Sequence, residues 1–237
     1  MRRILAFLDT QCRPDLPNDP SVYYSYSMTK SQEIIFIRHG QSTANAAGIW
    51  QGQLDYPLSN LGREQASQAG RALAQERLDA FYASPLSRAY ETATIIAGHT
   101  GYEGEVSRIS GLAERAGGTL EGTTAEQRLE ANPALVDKFL SLPEDERWSL
   151  VGAEADDEVL ERISTSVSEI RSQHPADAHI VLVSHGGAMR AYFRKLFGGD
   201  ILTGKSRTPN ASITRIQWPE NGDAPNLVLL AETEHLD

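Results

Sequence analysis

Apolar runs alternate with segments of helical period along most of this chain. Residues 34–37, Ile-Ile-Phe-Ile, are continuously apolar and end on Arg38, His39 and Gly40. A short run of this kind predicts a central strand buried on both faces. "PLSNLGREQASQAGRALAQERL" follows and predicts a helix capped by Ser59 or Asn60, with Leu61, Ala66, Ala69 and Leu73 on one face. Ala80 to Tyr82 is a brief strand. The next helix is expected to take Ser84 as N-cap and Pro85 as its first residue, and to close at Gly98. Between Glu154 and Gln173, the apolar residues Val159, Ile163, Val167 and Ile170 recur at helical spacing until Pro175 stops the pattern. "HIVLVSHGG" then repeats the opening grammar of apolar strand, polar residue, histidine and glycine. A helix from Gly187 to Phe197 would turn Met189, Tyr192, Phe193 and Leu196 inward and end at Gly198-Gly199. Two late strands, about Ser212 to Trp218 and Leu227 to Glu232, enclose an Asn221-Gly222 turn signal.

Strands alternating with helices predict an α/β fold, a three-layer sandwich whose mainly parallel central sheet is flanked by helices. Residues 31–237 are expected to form the domain. Within them, residues 111–151 are broken by Pro133 and Pro143 and predict one or two short helices, a cap-like insertion over the active site. Residues 1–30 look like a poorly ordered appendage, with three prolines between 13 and 20 and a polar, tyrosine-rich stretch from Ser21 to Ser27. Met28 is a candidate start. The apolar piece Ile4 to Leu8 is shorter than a secretory core requires.

Composition narrows the function. The chain has 237 residues, 40% hydrophobic and 23% charged, enough for a substantial core. No apolar run approaches a membrane span. The net charge of -10 disfavours nucleic acid or an anionic membrane as partner. It leaves room for a small anionic substrate, because a few arginines in a cleft reverse the local field. The single cysteine, Cys12, rules out an internal disulfide framework and fits a cytoplasmic protein. The sequence leaves monomer and homodimer both open.

The chemistry gathers at strand exits. His39 and His185 each follow an apolar strand by one or two residues, and each precedes a glycine. Ligands of an open parallel sheet bind beyond the carboxyl ends of its strands. If the two strands are neighbours, both imidazoles meet in one cleft. Arg38 adjoins His39, and Arg88 lies in the first turn of a helix that itself follows a strand. A lone histidine at a strand end is usually structural, and an arginine in a first helical turn is usually a solvated surface group. Four such residues at strand exits argue otherwise. Two guanidinium groups, two imidazoles and free backbone N–H groups make a cage for a doubly charged anion. Nearby Arg38 and Arg88 favour neutral His39 by like-charge repulsion, and neutral imidazole is a nucleophile toward phosphorus.

"IFIRHGQSTAN" resembles the signature of the histidine phosphatase superfamily, the phosphoglycerate mutase-like proteins. "QGQLDYPLSNLGREQA", "ASPLSRAYETA", "GLAERAGGTLEG", "VSHGGAMR" and "TPNASITRI" match further family motifs in order, over roughly residues 33–216. The resemblance implies roles. His39 would carry the phosphoryl group. Arg38, Asn45, Arg88, His185 and the Gly186 backbone would hold phosphate oxygens. Glu114 would be general acid for the leaving alcohol and then base for water. Glu121 is a neighbouring alternative, expected to be structural, and Gln51 and Gly52 would line the pocket. No metal or other cofactor is implied, and no H-x-H or H-E-x-x-H spacing is present.

A phosphomonoester hydrolase, a mutase and a non-catalytic phosphate-binding regulatory protein remain to be separated. Family mutases resemble one another in a Glu-Arg-His-Tyr-Gly stretch followed by a basic segment. Here Ala116 and Gly117 stand at the His and Tyr positions, and "TTAEQRLEANPALVDKF" is poor in basic residues. That favours hydrolysis. A regulatory remnant would be expected to have lost His39, Glu114 or His185. The expected substrate is a small phosphorylated metabolite.

Overall fold

A computed structural model describes residues 30–198 and 208–237. The appendage expected over residues 1–30 lies outside them except for Lys30, as do Cys12, Met28 and Gly199. The elements, in chain order, are β1 (Ser31–Arg38), α1 (Thr43–Ala46), α2 (Asn60–Leu73), β2 (Ala80–Ala83), α3 (Ser87–Thr100) and β3 (Ser107–Arg108). Then come α4 (Ala125–Ala131), α5 (Pro133–Ser141), α6 (Glu144–Arg147), α7 (Asp156–Ser172), β4 (His179–Ser184), α8 (Gly186–Phe197), β5 (Ile213–Pro219) and β6 (Asn226–Glu232).

The strands form one sheet in the order β3-β2-β4-β1-β5-β6. β1, β2, β3 and β4 run parallel, while β5 pairs antiparallel with both β1 and β6. β1 and β4 are direct neighbours, with Arg38 opposite Ser184. Side chains alternate across a strand, so β1 feeds both faces of the sheet. Ile34 and Phe36 pack with Val159, Ile163, Met189 and Phe193 of α7 and α8. Ile35 and Ile37 pack with Ala69 and Leu73 of α2 and Ala93 and Ile96 of α3. Each of these β1 side chains is fully buried and contributes roughly 1.5–3 kcal/mol of hydrophobic stabilisation. The three layers are therefore α2/α3, sheet and α7/α8. Among the described residues no helix is long and apolar enough to cross a membrane.

Several local expectations need correction. Leu61 is 52% exposed; the inward face of α2 is Gly62, Ala66, Ala69, Gly70 and Leu73. Small residues win that face because α3 comes close: a Cβ on Gly70 would meet the His99 side chain at 2.8 Å. α3 starts at Ser87, not Pro85, and Ser84 does not cap it. It also runs past Gly98 to Thr100, because Gly101, at φ 69°, takes the left-handed capping conformation instead. The segment 111–151 carries three α-helices where one or two were expected. α8 begins one residue earlier than predicted, at Gly186.

Candidate active site

β1 delivers His39, and nearly every backbone group around it is engaged. His39 N–H donates to Ser184 O at 3.0 Å, and its carbonyl accepts from Asn210 Nδ2 at 3.0 Å. Ala211 N–H reaches Arg38 O at 3.0 Å. Gly40 N–H donates to Thr92 Oγ1 at 3.1 Å. The glycine after His39 is a packing requirement as well as a turn: a Cβ there would stand 2.3 Å from Gly62 O. α2 could not then approach the strand exit.

The His39 ring is almost completely buried. Nδ1 lies 2.7 Å from Gly40 O, and a carbonyl only accepts, so Nδ1 carries the hydrogen and Nε2 keeps its lone pair. Burial first, then the charges of Arg38 and Arg88, hold its pKa well below the usual 6.5, against a smaller opposing effect of the Gly40 hydrogen bond. The ring is neutral and nucleophilic. His185, at the N-cap of α8, lies with its ring centroid 5.0 Å from that of His39. Its Nε2 is 2.7 Å from Ser84 Oγ, and its buried Nδ1 has no hydrogen-bond partner among the described residues. Burial and then Arg88, His39 and Arg38 hold its pKa well below 6.5 too.

Two buried neutral histidines have a thermodynamic consequence. The unfolded chain binds protons near pH 6.5, whereas the folded sites bind them only at lower pH. Stability is therefore full above that value and is lost as pH falls from 6.5 toward the folded values. Urea midpoints should fall between pH 7.5 and 5.5, and a His39→Gln, His185→Asn double variant should flatten that slope. An unchanged slope in the double variant would refute the assignment.

Arg88 is 1% exposed, and its guanidinium donates to Gly52 O at 2.8 Å and Leu54 O at 2.9 Å. Its buried Nε–H has no acceptor among the described residues, a donor suited to a ligand oxygen. Arg38 Nη1 donates to Thr208 O. A cleft of about 340 Å³ brings together Arg38, His39, Asn45, Gln51, Gly52, Arg88, Glu114 and Gly186. Every sequence-derived candidate except His185 and Glu121 thus faces one space; His185 is fully buried and meets the site through its contact with the His39 ring. Asn45 is held by the capping box of α1, where its Oδ1 accepts from Ser42, and Gln51 Oε1 accepts from Ser42 Oγ at 2.7 Å. Glu121 is used elsewhere: its Oε1 accepts from Gln53 N at 2.9 Å and Gly117 N at 2.7 Å, which braces the loops beneath.

Glu114 sits at the N-terminus of α8. Its Oε2 accepts Gly187 N–H at 3.0 Å, and its Oε1 accepts Ala188 N–H at 2.9 Å and Arg115 N–H at 2.8 Å. A Cβ on Gly187 would stand 2.5 Å from Oε1, so that glycine makes the approach possible. Sequence reasoning missed what anchors this loop. Arg162, midway along α7, spends all five guanidinium N–H groups here. They reach Gly111 O at 2.9 Å, Ala113 O at 2.6 Å, Glu114 O at 3.1 Å and the Glu154 oxygens at 2.6 and 2.8 Å. Sequence reasoning also missed Ser84, whose hydroxyl meets His185, and the walls formed by Trp50, Arg115, Trp148, Arg190 and Thr208. The signal for Arg162 was faint: a charged residue beside Ile163, on the inward-leaning edge of an amphipathic helix.

Known proteins resemble this chain over most of its length. Residues 34–233 match the family model described as the histidine phosphatase superfamily (branch 1). The chain is 34% identical over 165 residues to a metal-independent phosphoserine phosphatase of Arabidopsis thaliana, covering 69% of this chain and 68% of that protein. It is 35% identical over 173 residues to a glucosyl-3-phosphoglycerate phosphatase of Mycolicibacterium vanbaalenii, covering 70% and 75%. The phosphoglycerate mutase structure from Bacillus anthracis superposes with a TM-score of 0.76 at 21% identity over 88% of this chain and 96% of that one, a likeness of fold. With RHG at the exit of β1, HGG at the exit of β4 and a family match across almost the whole described domain, this chain belongs to the histidine phosphatase superfamily, branch 1.

Proposed function

We infer that this chain is a metal-independent phosphomonoester hydrolase that acts on a small phosphorylated metabolite through a phosphohistidine on His39. The observation that carries this is the buried neutral imidazole, with Nδ1 tied to Gly40 O and Nε2 left for phosphorus. Nε2 attacks phosphorus in line with the ester oxygen. The N–P bond forms as the P–O bond breaks, and Glu114 gives its proton to the departing alcohol. Arg38, Arg88, His185, Asn45 and the amide end of α8 offset the charge on the equatorial oxygens. Water then attacks the phosphohistidine, Glu114 takes its proton, and inorganic phosphate leaves with His39 restored. For proton donation Glu114 must loosen its hold on the α8 amides, and Arg162 keeps its backbone in place while it does. The relatives named for phosphoserine and glucosyl-3-phosphoglycerate support a small substrate. The single cysteine supports a cytoplasmic setting.

Purified protein dialysed against a chelator should hydrolyse an aryl phosphate such as p-nitrophenyl phosphate at an undiminished rate. Activity that disappears with the chelator and returns with a divalent cation would overturn the mechanism. Rapid interconversion of 2- and 3-phosphoglycerate, with little phosphate released, would establish the mutase instead.

A further inference from the structure

Beside the catalytic cleft lies a second cavity, of about 400 Å³, under the helix pair α4 and α5. Its walls include Trp50, Leu120, Leu135, Val136, Phe139 and Val151. Neither α4 nor α5 buries a single side chain, although α5 has an apolar face. From that face Phe139 packs at the edge of the small cluster Leu120, Trp148 and Val151, and Leu135, Val136 and Phe139 line the cavity. The polar side chains in the wall are engaged within the protein. Thr119 and Thr123 donate to Val151 O and Leu120 O, and Arg128 donates to Thr123. The Gln127 and Asn132 side-chain oxygens cap α4 and α5. A polar ligand would find few partners there, whereas an apolar one would find a wall.

Trp50 belongs to both spaces. Its ring lies 6.0 Å from that of Trp148, which also lines the cleft, and Trp148 lies 5.6 Å from Phe139, which lines the cavity. Three aromatic rings therefore lead from the phosphate cage to the cavity. Each of the three rings carries a cation. Arg128, in the cavity wall, lies 5.8 Å from the Trp50 centroid and donates to Thr123, and Arg147 lies 5.4 Å from the Phe139 centroid and donates to Leu142 O. Arg115 is stacked on Trp148 with its guanidinium carbon 4.3 Å from the ring centroid, and is paired with Asp156. It presents little uncompensated charge to a substrate carboxylate.

We propose that the α4/α5 cavity receives the apolar part of the leaving alcohol, so that the preferred substrates are phosphomonoesters carrying an aryl or long alkyl group. This rests on the phosphatase reading of the adjoining cleft and extends it to substrate class. The phosphate is gripped by Arg38 and Arg88, the ester oxygen faces Glu114, and the rest of the molecule passes Trp50 into the cavity. An apolar group of phenyl size moved from water into such a wall gains about tenfold or more in affinity.

The test compares 2-phenylethyl phosphate with ethyl phosphate, whose leaving alcohols are of similar acidity, so that the chemical step is matched. The expected kcat/KM ratio is about tenfold or more in favour of the phenylethyl ester, carried mainly by KM. In Leu135→Asn and in Phe139→Ala the ratio should fall toward one. The phosphonate analogues, as inhibitors, should show the same ratios without turnover. A wild-type ratio near one, a ratio retained in both variants, or phosphoserine outrunning the phenylethyl ester would overturn the assignment. A fall in molecular mass from dimer to monomer in Leu135→Asn would assign this face to a second copy of the chain and overturn it as well. If no phosphomonoester is turned over but phenylethylphosphonate still binds tenfold tighter than ethylphosphonate, the phosphatase reading fails while the cavity's ligand class stands.

Discussion

His39→Ala is expected to lower kcat by about four orders of magnitude or more, and to abolish the acid-labile, base-stable phosphoenzyme seen after brief mixing with labelled substrate. The size follows from the role. Removing a covalent nucleophile removes the two-step path itself, leaving only what binding and the charge cage do for direct attack by water. The cage should survive the change. Arg88 is held by Gly52 O and Leu54 O, and His185 by Ser84, none of which depends on the His39 ring. Inorganic phosphate or vanadate should therefore still bind the variant. Full activity in His39→Ala, or a phosphoenzyme that persists in it, would refute the proposed nucleophile. Loss of activity together with loss of the folded circular dichroism spectrum would be read through the milder His39→Gln.

The second large effect is expected from Glu114→Gln, and it should depend on the leaving group. An acid catalyst contributes about 10²–10⁴ in rate when the departing oxygen needs a proton. Alkyl phosphates should suffer that loss in full. p-Nitrophenolate leaves without a proton, so phosphorylation of His39 by p-nitrophenyl phosphate should persist. Water would then lack its base, and phosphoenzyme should accumulate as a burst of nitrophenol followed by slow turnover. A general weakening of the site would lower both substrates alike and give no burst, which would sink the assignment. The amide also sets an NH2 against one of the α8 N–H groups that the carboxylate accepts, Gly187 or Ala188. An unmatched donor of this kind costs about 1–3 kcal/mol, so some loss of thermal stability should accompany the kinetic change.

Much of this was legible in one dimension. The continuous run Ile34–Ile37 and the four-residue rhythm of α7 encode burial directly, because the periods of strand and helix project onto the same apolar positions that the structure buries. Boundaries were less legible. The pattern placed Leu61 inward, yet the contact between α2 and α3 is made by glycine and alanine, and how closely two helices approach is not written in either one's periodicity. Ser84 looks like a cap in sequence because serine usually is one. Its hydroxyl instead meets His185, 101 residues away.

What the sequence by itself determined is the set of reactive groups and the strand exits that carry them: Arg38 and His39 after β1, Arg88 after β2, His185 after β4. These follow from local pattern, since an apolar strand, a turn glycine and a charged exit are near neighbours in the chain. Only the tertiary structure decided that β1 and β4 lie side by side in register, which brings the two imidazoles to 5.0 Å. Only packing dries those rings enough to keep them neutral, for burial is the largest cause of both shifts. The placement of Glu114 belongs to the same level. It is set by three hydrogen bonds from Arg162 to the loop carbonyls and by the amides of a helix more than 70 residues further on. Contacts between segments so far apart depend on how the whole chain closes, and no local pattern carries them.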